Sequence, residues 1–309
     1  MLSLKPMPSI YAIGETIYDI IFKNDEPQTA KAGGSMLNTV VSLGRLGLPV
    51  HFISEYGSDG VGDIIGGFLE SNGVDTTHVY RYADGKTAIS LAFLNESNDA
   101  SYSFYKHYPE KRLALTLPEF KTGDIVLFGA FYSLMPEIRK QLISFVTAAR
   151  DAGALIIYDP NMRSPHKDEI ESLREFIYEN ISLADIVRGS DEDFNTIFNI
   201  DKGADAYDIL RKYECKYLIY TKSNTGVEIH HPGGMIEVKV PAVETVSTIG
   251  AGDSFNAGVI YELFRSGEKL HDISSEGLEN IVKTAIKFGS HVCTHYENYV
   301  SEDFAGAFK

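Results

Sequence analysis

Residues 247–253 have the sequence S-T-I-G-A-G-D, and the stretch that follows, Ser254–Ser266, has helical spacing. Small residues at such a loop-to-helix junction expose consecutive backbone N–H groups, whose dipoles converge at the helix N-terminus and attract an anion. Asp253 falls in the first turn of the predicted helix, where a carboxylate can act as a general base toward an attacking hydroxyl group. An acidic residue that only caps a helix is also common there. The motif therefore predicts a phosphate site, and the remaining motifs decide the role of Asp253.

Outside this motif, short apolar runs alternate with helical patterns along the chain. Several runs are apolar on both faces, which is typical of strands in a buried parallel sheet. The predicted strands are Ser9–Gly14, Val50–Ser54, Asp124–Gly129, Leu155–Asp159, Asp185–Arg188 and Tyr217–Thr221. The predicted helices between them are Ser35–Leu46, Asp63–Asn72, Glu137–Ala152, Glu169–Leu183 and Ala206–Tyr213. This alternation predicts a single α/β domain over residues 1–309, with a doubly wound, mostly parallel sheet flanked by helices.

One region departs from the alternation of strands and helices. Lys86–Leu94 and Ala100–His107 have the pattern of two strands around a turn, Asn95–Asp99, and Ile17–Phe22 adds a third strand. We predict a small antiparallel sheet formed by about residues 15–23 and 86–108. Such a sheet is either a plain surface hairpin or a lid that excludes water from an active site during group transfer.

Composition and charge narrow the classes of partner. The chain has a net charge of −15, from 28 basic and 43 acidic residues, so it repels nucleic acids and anionic membrane surfaces. Its two cysteines, Cys215 and Cys293, lack the spacing of a metal site or a disulfide framework, which suits a reducing compartment. The sequence shows neither a signal peptide nor an apolar run long enough to span a membrane, so we expect a cytoplasmic location.

A second glycine motif complements the first. Residues 33–38 have the sequence G-G-S-M-L-N and run on through Thr39 to Gly47. Together the two motifs resemble the signatures of the ribokinase (PfkB) family of carbohydrate kinases. The resemblance covers about residues 9–300 and implies a ribokinase-like fold with a small β lid. It also implies that Gly250, Ala251 and Gly252 hold the transferred phosphoryl group and that Asp253 is the catalytic base.

Three further stretches are similar to the fructokinase branch of that family. Gly14–Asp19 is similar to its opening G-E-x-x-x-D, Ser103–Lys106 to its S-F-Y-R with lysine in place of arginine, and Asp159–Arg163 to its D-P-N-x-R. The resemblance implies that the Asp19 carboxylate accepts hydrogen bonds from sugar hydroxyls and that Arg163 bridges the sugar and the phosphoryl group. The implied substrate-binding residues are Asp19, Gly33, Gly34, Asn38, Tyr105, Lys106 and Arg163.

The nucleotide-binding residues that the resemblance implies depend on two weaker matches to the family's sequence motifs. Ser190–Asp193 stands where the family has N-x-x-E, an element linked to magnesium and phosphate, and Thr221–Gly226 resembles its T-x-G-x-x-G stretch with Ser223 replacing the first glycine. The implied cofactors are ATP and Mg²⁺, with Asp193 as an indirect magnesium contact. The implied cofactor-binding residues are Thr221, Gly226, Ser190, Asp193 and Thr248. Ser247 replaces the first aspartate of the family's D-T-x-G-A-G-D, and serine is a poorer cation ligand, so activation by K⁺ is in doubt.

The sequence thus predicts an enzyme that transfers the γ-phosphoryl group of ATP to a hydroxyl of a small sugar, with fructose or a similar ketose as the first choice. The alternatives are a kinase for ribose or 2-keto-3-deoxygluconate, a nucleoside kinase, and a relative that binds a sugar or nucleotide without turnover. Intact Gly250, Gly252 and Asp253 favour an active enzyme. The resemblance also implies a homodimer that pairs through the lid.

Overall fold

Two sheets and nine helices make up the part of the chain that the computed structural model describes, residues 7–95, 100–162 and 169–308. The strands are β1 Ile10–Ile13, β2 Ile17–Lys23, β3 Glu26–Gly33, β4 Val50–Gly57, β5 Val74–Asp75, β6 Val79–Tyr82, β7 Lys86–Leu94, β8 Ala100–His107, β9 Ile125–Gly129, β10 Leu155–Asp159, β11 Ile186–Ser190, β12 Tyr217–Thr221, β13 Val227–His231 and β14 Gly234–Val238. The helices are α1 Ser35–Arg45, α2 Gly60–Ser71, α3 Pro136–Asp151, α4 Ile170–Leu183, α5 Asp191–Phe198, α6 Gly203–Lys212, α7 Ala251–Ser266, α8 Ser275–Cys293 and α9 Glu302–Gly306.

The large sheet has ten strands and is mostly parallel. Its order is β14-β13-β12-β11-β10-β9-β1-β4-β5, with β6 also paired to β4. Every described pairing from β5 and β6 to β12 is parallel, whereas the pairs β12–β13 and β13–β14 are antiparallel. In such a sheet the carboxyl ends of the parallel strands share one edge, where ligands of open α/β folds bind. Three of the predicted motifs end or follow strands at this edge: Asp159 on β10, Ser190 on β11 and Thr221 on β12.

Helices cover both faces of the large sheet, as the doubly wound prediction requires. Along β9 the side chains of Ile125 and Leu127 join the core cluster that includes α1, α7 and α8, while Val126 and Phe128 join the cluster that includes α3, α4 and α6. Successive side chains of a strand point to opposite faces, so one apolar run supplies both cores. The predicted α/β fold class is therefore confirmed. Among the described residues, none of the helices has the length and apolar character that crossing a membrane requires.

The smaller sheet, here called the lid sheet, has the order β3-β2-β7-β8. Strands β7 and β8 have the predicted bounds, and the third predicted strand is β2. The outer pairings are antiparallel, as predicted, whereas β2 and β7 are parallel. The fourth strand, β3, was not predicted, because its first residues, Glu26–Ala30, are exposed and carry none of the apolar alternation of a half-buried strand. It leads directly into α1 through Gly33 and Gly34.

Candidate active site

The N-terminus of α7 has the geometry of an anion hole. Gly250 precedes the helix with φ of 81°, and a Cβ atom there would lie 2.1 Å from the carbonyl oxygen of Asn298. Only glycine fits this left-handed turn against a neighbouring backbone. The N–H of Ala251 donates to the Thr248 carbonyl oxygen at 3.2 Å, whereas the N–H of Gly252 has no hydrogen-bond partner in the described parts of the chain. Of the predicted trio, Gly252 thus offers an open donor, Gly250 shapes the turn, and Ala251 closes it together with Thr248.

Asp253 lies in the first turn of α7 and is 6% exposed. The side-chain amide of Asn38 donates to Asp253 Oδ2 at 2.8 Å, and the hydroxyl of Thr39 donates to the Asp253 carbonyl oxygen at 2.9 Å. These contacts join α1 to α7, so the two glycine motifs meet in space. The other amide atom, Asn38 Oδ1, is buried and has no partner among the described residues. Buried acceptors are normally satisfied, so this oxygen is suited to a ligand hydroxyl.

A row of four side chains crosses the lid sheet beside this centre. Lys31 on β3 is opposite Asp19 on β2, Asp19 is opposite Ser90 on β7, and Ser90 is opposite Phe104 on β8. Residues directly opposite on paired strands point to the same face, so these four form one surface, here called the lid floor. Ser90 is fully buried, and its hydroxyl donates to Asp19 Oδ1. The lid floor therefore carries the predicted sugar ligand Asp19.

The two glycines of the first motif make room for this floor. A Cβ atom on Gly33 would lie 2.2 Å from Asp19 Oδ2, and one on Gly34 would lie 2.4 Å from the carbonyl oxygen of Glu15. Gly34 also has φ of 135°, a conformation that L side chains rarely adopt. Glycine is thus required at both predicted substrate-binding positions, because Asp19 and Glu15 approach the backbone closely at the start of α1.

Lys106 and Tyr105, both predicted to bind substrate, lie on opposite faces of the lid sheet. Lys106 is two residues beyond Phe104, on the lid-floor side, and its ammonium pairs with Glu15 Oε1 at 2.7 Å. Tyr105 is opposite Ile89 and is 57% exposed on the other face. The alternation of a strand separates neighbours in this way. The structure therefore groups Lys106 and Phe104 with Asp19, and it does not bring Tyr105 to this surface.

Arg163, predicted to bridge sugar and phosphoryl group, lies outside the described residues. The aspartate of the same motif, Asp159, is buried at the end of β10. Its Oδ2 accepts hydrogen bonds from Arg188, at 3.1 Å, and from the Asn256 amide. Burial raises the pKa of the Asp159 carboxyl, and Arg188 and Asn256 oppose that rise by stabilising the charged form.

Arg188 connects three predicted motifs, and sequence reasoning did not assign it a role. It is 8% exposed, its Nη1 atom pairs with Asp159, and its Nη2 atom donates to the Thr221 hydroxyl at 3.3 Å. A Cβ atom on Gly252 would lie 3.1 Å from Nη1 of Arg188, so the guanidinium lies directly behind the anion hole. The available signal was a single basic residue inside the otherwise apolar run of β11, where a buried charge needs a partner.

Ser190 and Asp193 form a capping box at the N-terminus of α5. Asp193 Oδ2 accepts hydrogen bonds from the backbone N–H and the hydroxyl of Ser190, both at 2.7 Å, and Oδ1 accepts one from the Met162 N–H at 2.6 Å. Both carboxylate oxygens are therefore engaged within the protein. Across the described ranges, no group of three or more His, Cys, Asp and Glu side chains could hold a metal ion.

The turn after β12 follows Thr221. The N–H of Lys222 donates to the Gly226 carbonyl oxygen at 2.9 Å, which closes the turn. Ser223, which replaces a family glycine, has φ of 49°, an uncommon conformation for a residue with a side chain. The turn thus keeps a glycine-like backbone without its glycine, and it lies at the same sheet edge as the anion hole.

Curated relatives and solved structures resemble this chain over most of its length. A fructokinase of Escherichia coli is 28% identical over 268 residues, which cover 84% of this chain and 85% of that protein. An aminoimidazole riboside kinase of Salmonella typhimurium is 25% identical over 279 residues, which cover 90% of this chain and 88% of that protein. The crystal structure of a fructokinase from Vibrio cholerae O395 with fructose, ADP and a calcium ion has a TM-score of 0.84 and 21% identity, covering 98% of this chain and 99% of its own.

The family model described as pfkB family carbohydrate kinase matches residues 7–303, nearly the whole chain. That range contains both glycine motifs, the lid floor and the anion hole. The predicted family is confirmed: this chain is a carbohydrate kinase that belongs to the pfkB family.

Proposed function

We propose that this protein transfers the γ-phosphoryl group of ATP to a hydroxyl group of fructose or a similar small ketose. The observation that carries the proposal is the position of Asp253. Its carboxylate is buried, oriented by the Asn38 amide, and follows the open N–H of Gly252 by one residue. A base and an anion hole side by side are what phosphoryl transfer to an alcohol requires, because the chemistry depends mainly on positioning and electrostatic stabilisation.

In the proposed complex the sugar lies between the lid floor and α1. Asp19 accepts hydrogen bonds from sugar hydroxyls, and Asn38 Oδ1, which has no partner in the described chain, accepts another. Lys106 and the face of Phe104 close the same surface, since the Lys106 ammonium lies 5.5 Å from the Phe104 ring centre. Gly33 and Gly34 let the start of α1 lie close against Asp19 and Glu15, and this brings the helix N-terminus next to the proposed sugar ligand.

ATP lies along the carboxyl edge of the large sheet in this proposal, with its phosphates at the N-terminus of α7. Thr221 ends β12 at that edge, Gly226 closes the turn after it, and Thr248 accepts the Ala251 N–H in the turn before α7. Ser190 and Asp193 fix the start of α5 after the neighbouring strand β11. The acceptor oxygen attacks the γ-phosphorus as its proton passes to Asp253. The bond between that phosphorus and the β–γ bridging oxygen breaks, and ADP leaves. The N–H of Gly252 donates to the transferring group throughout.

Mg²⁺ fits this site only when it is bound to the phosphates of ATP. Mg²⁺ usually keeps several waters and binds substrate phosphates with one or two carboxylates, and here both oxygens of Asp193 already accept protein hydrogen bonds. We propose that the ion is held chiefly by phosphates and water, with Asp193 acting through neighbouring groups. When bound, it neutralises part of the phosphate charge.

The choice of sugar is tested by a panel assay. Purified protein is incubated with ATP, Mg²⁺ and fructose, ribose, 2-keto-3-deoxygluconate or aminoimidazole riboside, and ADP and the phosphorylated product are measured. We expect the highest kcat/KM with fructose. The riboside is the second candidate, because the chain is 25% identical to a riboside kinase. Phe104, which is 60% exposed on the lid floor, also offers an aromatic face on which a base can stack. A higher kcat/KM with the riboside than with fructose would make the riboside the preferred substrate and contradict the proposed choice of fructose.

We also propose that the protein is a cytoplasmic homodimer that pairs through the lid sheet. Strand β8 is an edge strand on which Tyr102, Phe104 and Tyr105 are 50%, 60% and 57% exposed, and such edges and apolar patches attract a partner. Both cysteines are free thiols, as a reducing compartment allows. Light scattering at micromolar concentration should give twice the chain mass of 34.2 kDa. A value equal to the chain mass would contradict the dimer.

A further inference from the structure

Lys31 connects the lid floor to the anion hole. It lies on β3 opposite Asp19, two residues before Gly33. Its ammonium donates to the side-chain oxygen of Asn298 at 3.0 Å. The backbone of Asn298 lies against Gly250, since a Cβ atom on Gly250 would be 2.1 Å from its carbonyl oxygen. One lysine side chain therefore spans from beside the proposed sugar ligand Asp19 to the residue that packs against the turn before α7.

The charge of Lys31 is only loosely compensated. Within residues 7–95, 100–162 and 169–308, none of the ion pairs closer than 4 Å includes Lys31, and its only side-chain hydrogen bond is to a neutral amide. Asp19 and Glu297 act on it at longer range, and burial lowers the pKa of the Lys31 ammonium. An ammonium group has three N–H donors, so two remain after the bond to Asn298. A half-buried cation with no close counter-ion and with N–H donors left over favours an anion as its partner.

We infer that the Lys31 ammonium binds the phosphoryl group during its transfer from ATP to the sugar and holds it in the sugar phosphate afterwards. This inference rests on the proposed function. In the step, the sugar oxygen forms a bond to the γ-phosphorus, the bond to the β–γ bridging oxygen breaks, ADP leaves, and the hydroxyl proton goes to Asp253. Lys31 keeps its proton throughout and contributes a fixed positive charge from the lid-sheet side of the turn before α7.

The fixed ammonium group of Lys31 also compensates for the serine at position 247. A carboxylate at that position would help to hold a monovalent cation beside the anion hole, and Ser247 uses its hydroxyl oxygen to accept the Ile249 N–H at 3.2 Å. Lys31 reaches the same turn from the lid sheet through Asn298. A tethered ammonium can supply the positive field that a bound ion would otherwise add to the transferring group.

The first test is steady-state kinetics of Lys31→Met, Lys31→Arg and the control Lys86→Met with ATP and the best sugar of the panel. Lys86 is an exposed lysine at the start of β7 in the same sheet, so its variant loses the same charge away from the site. Loss of one preorganised donor to a reacting group costs about 10²-fold in kcat. We expect that loss in Lys31→Met with little change in KM, substantial recovery in Lys31→Arg, and wild-type kcat in Lys86→Met.

Two kinetic outcomes would overturn the inference. One is wild-type kcat in Lys31→Met, with or without a raised KM for the sugar, because Lys31 would then only bind sugar or brace the lid sheet. The other is an equal loss in Lys86→Met, because the effect would then follow net charge. Thermal unfolding midpoints of all variants verify that each is folded.

The second test is a binding measurement that needs no turnover. Calorimetry compares ADP with Mg²⁺ alone against ADP with Mg²⁺ and aluminium fluoride, which mimics a transferring phosphoryl group. We expect aluminium fluoride to tighten binding in the wild type and not in Lys31→Met, while ADP alone binds both equally. Equal tightening in both proteins would reject the role of Lys31. If no sugar of the panel is phosphorylated, the proposed function fails, and this titration still decides the role of Lys31.

Discussion

The side-chain nitrogen of Asn38 lies 2.8 Å from Oδ2 of Asp253, although the two residues are 215 positions apart in the sequence. The amide comes from the first turn of α1, which starts just after Gly34, and the carboxylate from the first turn of α7, which starts just after Gly250. Two helix N-termini that each follow a glycine therefore share one buried hydrogen bond. This contact orients the proposed base and leaves Asn38 Oδ1 for a ligand.

Asp19→Ala tests the sugar side of the site. The substitution removes a charged acceptor from the lid floor and leaves sugar hydroxyls unpaired. A hydrogen bond to a charged group is worth about 1.5–3 kcal/mol, which corresponds to roughly a 10- to 150-fold loss in sugar affinity. We expect calorimetry to show that loss for fructose and an unchanged affinity for ATP. Asp84→Ala, at an exposed position between β6 and β7, is the matched control. Equal fructose affinity in the wild type and Asp19→Ala would remove Asp19 from the sugar site.

Arg188→Met tests the ion pair behind the anion hole. Removing one partner of a buried pair costs about 3–5 kcal/mol of unfolding free energy, because Asp159 would keep an uncompensated charge. Chemical denaturation at pH 7 should show this loss, while Arg174→Met, whose partner Glu171 is exposed, should change little. A loss below about 1 kcal/mol, the usual range of surface ion pairs, would show that Arg188 is not needed to neutralise Asp159.

The same variant should respond to pH in a defined direction. The pKa of Asp159 is raised in the folded protein, so above the ordinary aspartate value of about 4 the folded state binds this proton more readily than the unfolded state. The contribution of Asp159 to the free energy of unfolding therefore rises as the pH falls toward that value. Without Arg188 the rise should be larger, so the gap between wild type and Arg188→Met should narrow from pH 7 to pH 5. A difference in unfolding free energy between the two proteins that stays constant from pH 7 to pH 5 would contradict the pairing of Arg188 with Asp159.

Much of this site follows from the sequence, and the reason is local. Gly250–Asp253 and Gly33–Asn38 each encode a glycine turn and a helix start, and short-range geometry is enough to place their backbone N–H groups and side chains. The strands β7, β8, β10 and β12 also have the predicted bounds, because apolar runs flanked by turns specify them.

Other parts depend on long-range packing that no local pattern reveals. Arg188 acquires its role from Asp159, Thr221 and Gly252, which lie on three other elements. Lys31 lies on a strand that lacks a hydrophobic alternation and meets Asn298 across 267 positions. The face of Tyr105 is fixed by the pairing of β7 with β8, so a motif that names adjacent residues cannot tell which of them meets the sugar.

Potassium dependence tests the substitution at Ser247. We expect initial rates to change little when tetramethylammonium chloride is replaced by potassium chloride at constant ionic strength, because Ser247 offers no carboxylate to a cation. Constant ionic strength matters, since screening alone alters the encounter of an acidic protein with ATP. Ser247→Asp is the companion variant, and it should gain activation by potassium. Several-fold activation of the unmodified protein would show that backbone carbonyl groups suffice for a cation site.

Proton transfer to Asp253 is tested most directly by the turnover of Asp253→Asn with ATP and the best sugar of the panel. The substitution keeps the size of the side chain and removes the proton acceptor, and loss of a general base costs about 10²–10⁴-fold in rate. Asp208→Asn, at an exposed carboxylate on α6, is the control and should keep the wild-type rate. We predict that kcat of Asp253→Asn falls by about that factor while calorimetry still shows ATP binding. Turnover of Asp253→Asn near the wild-type rate would contradict the proposed mechanism.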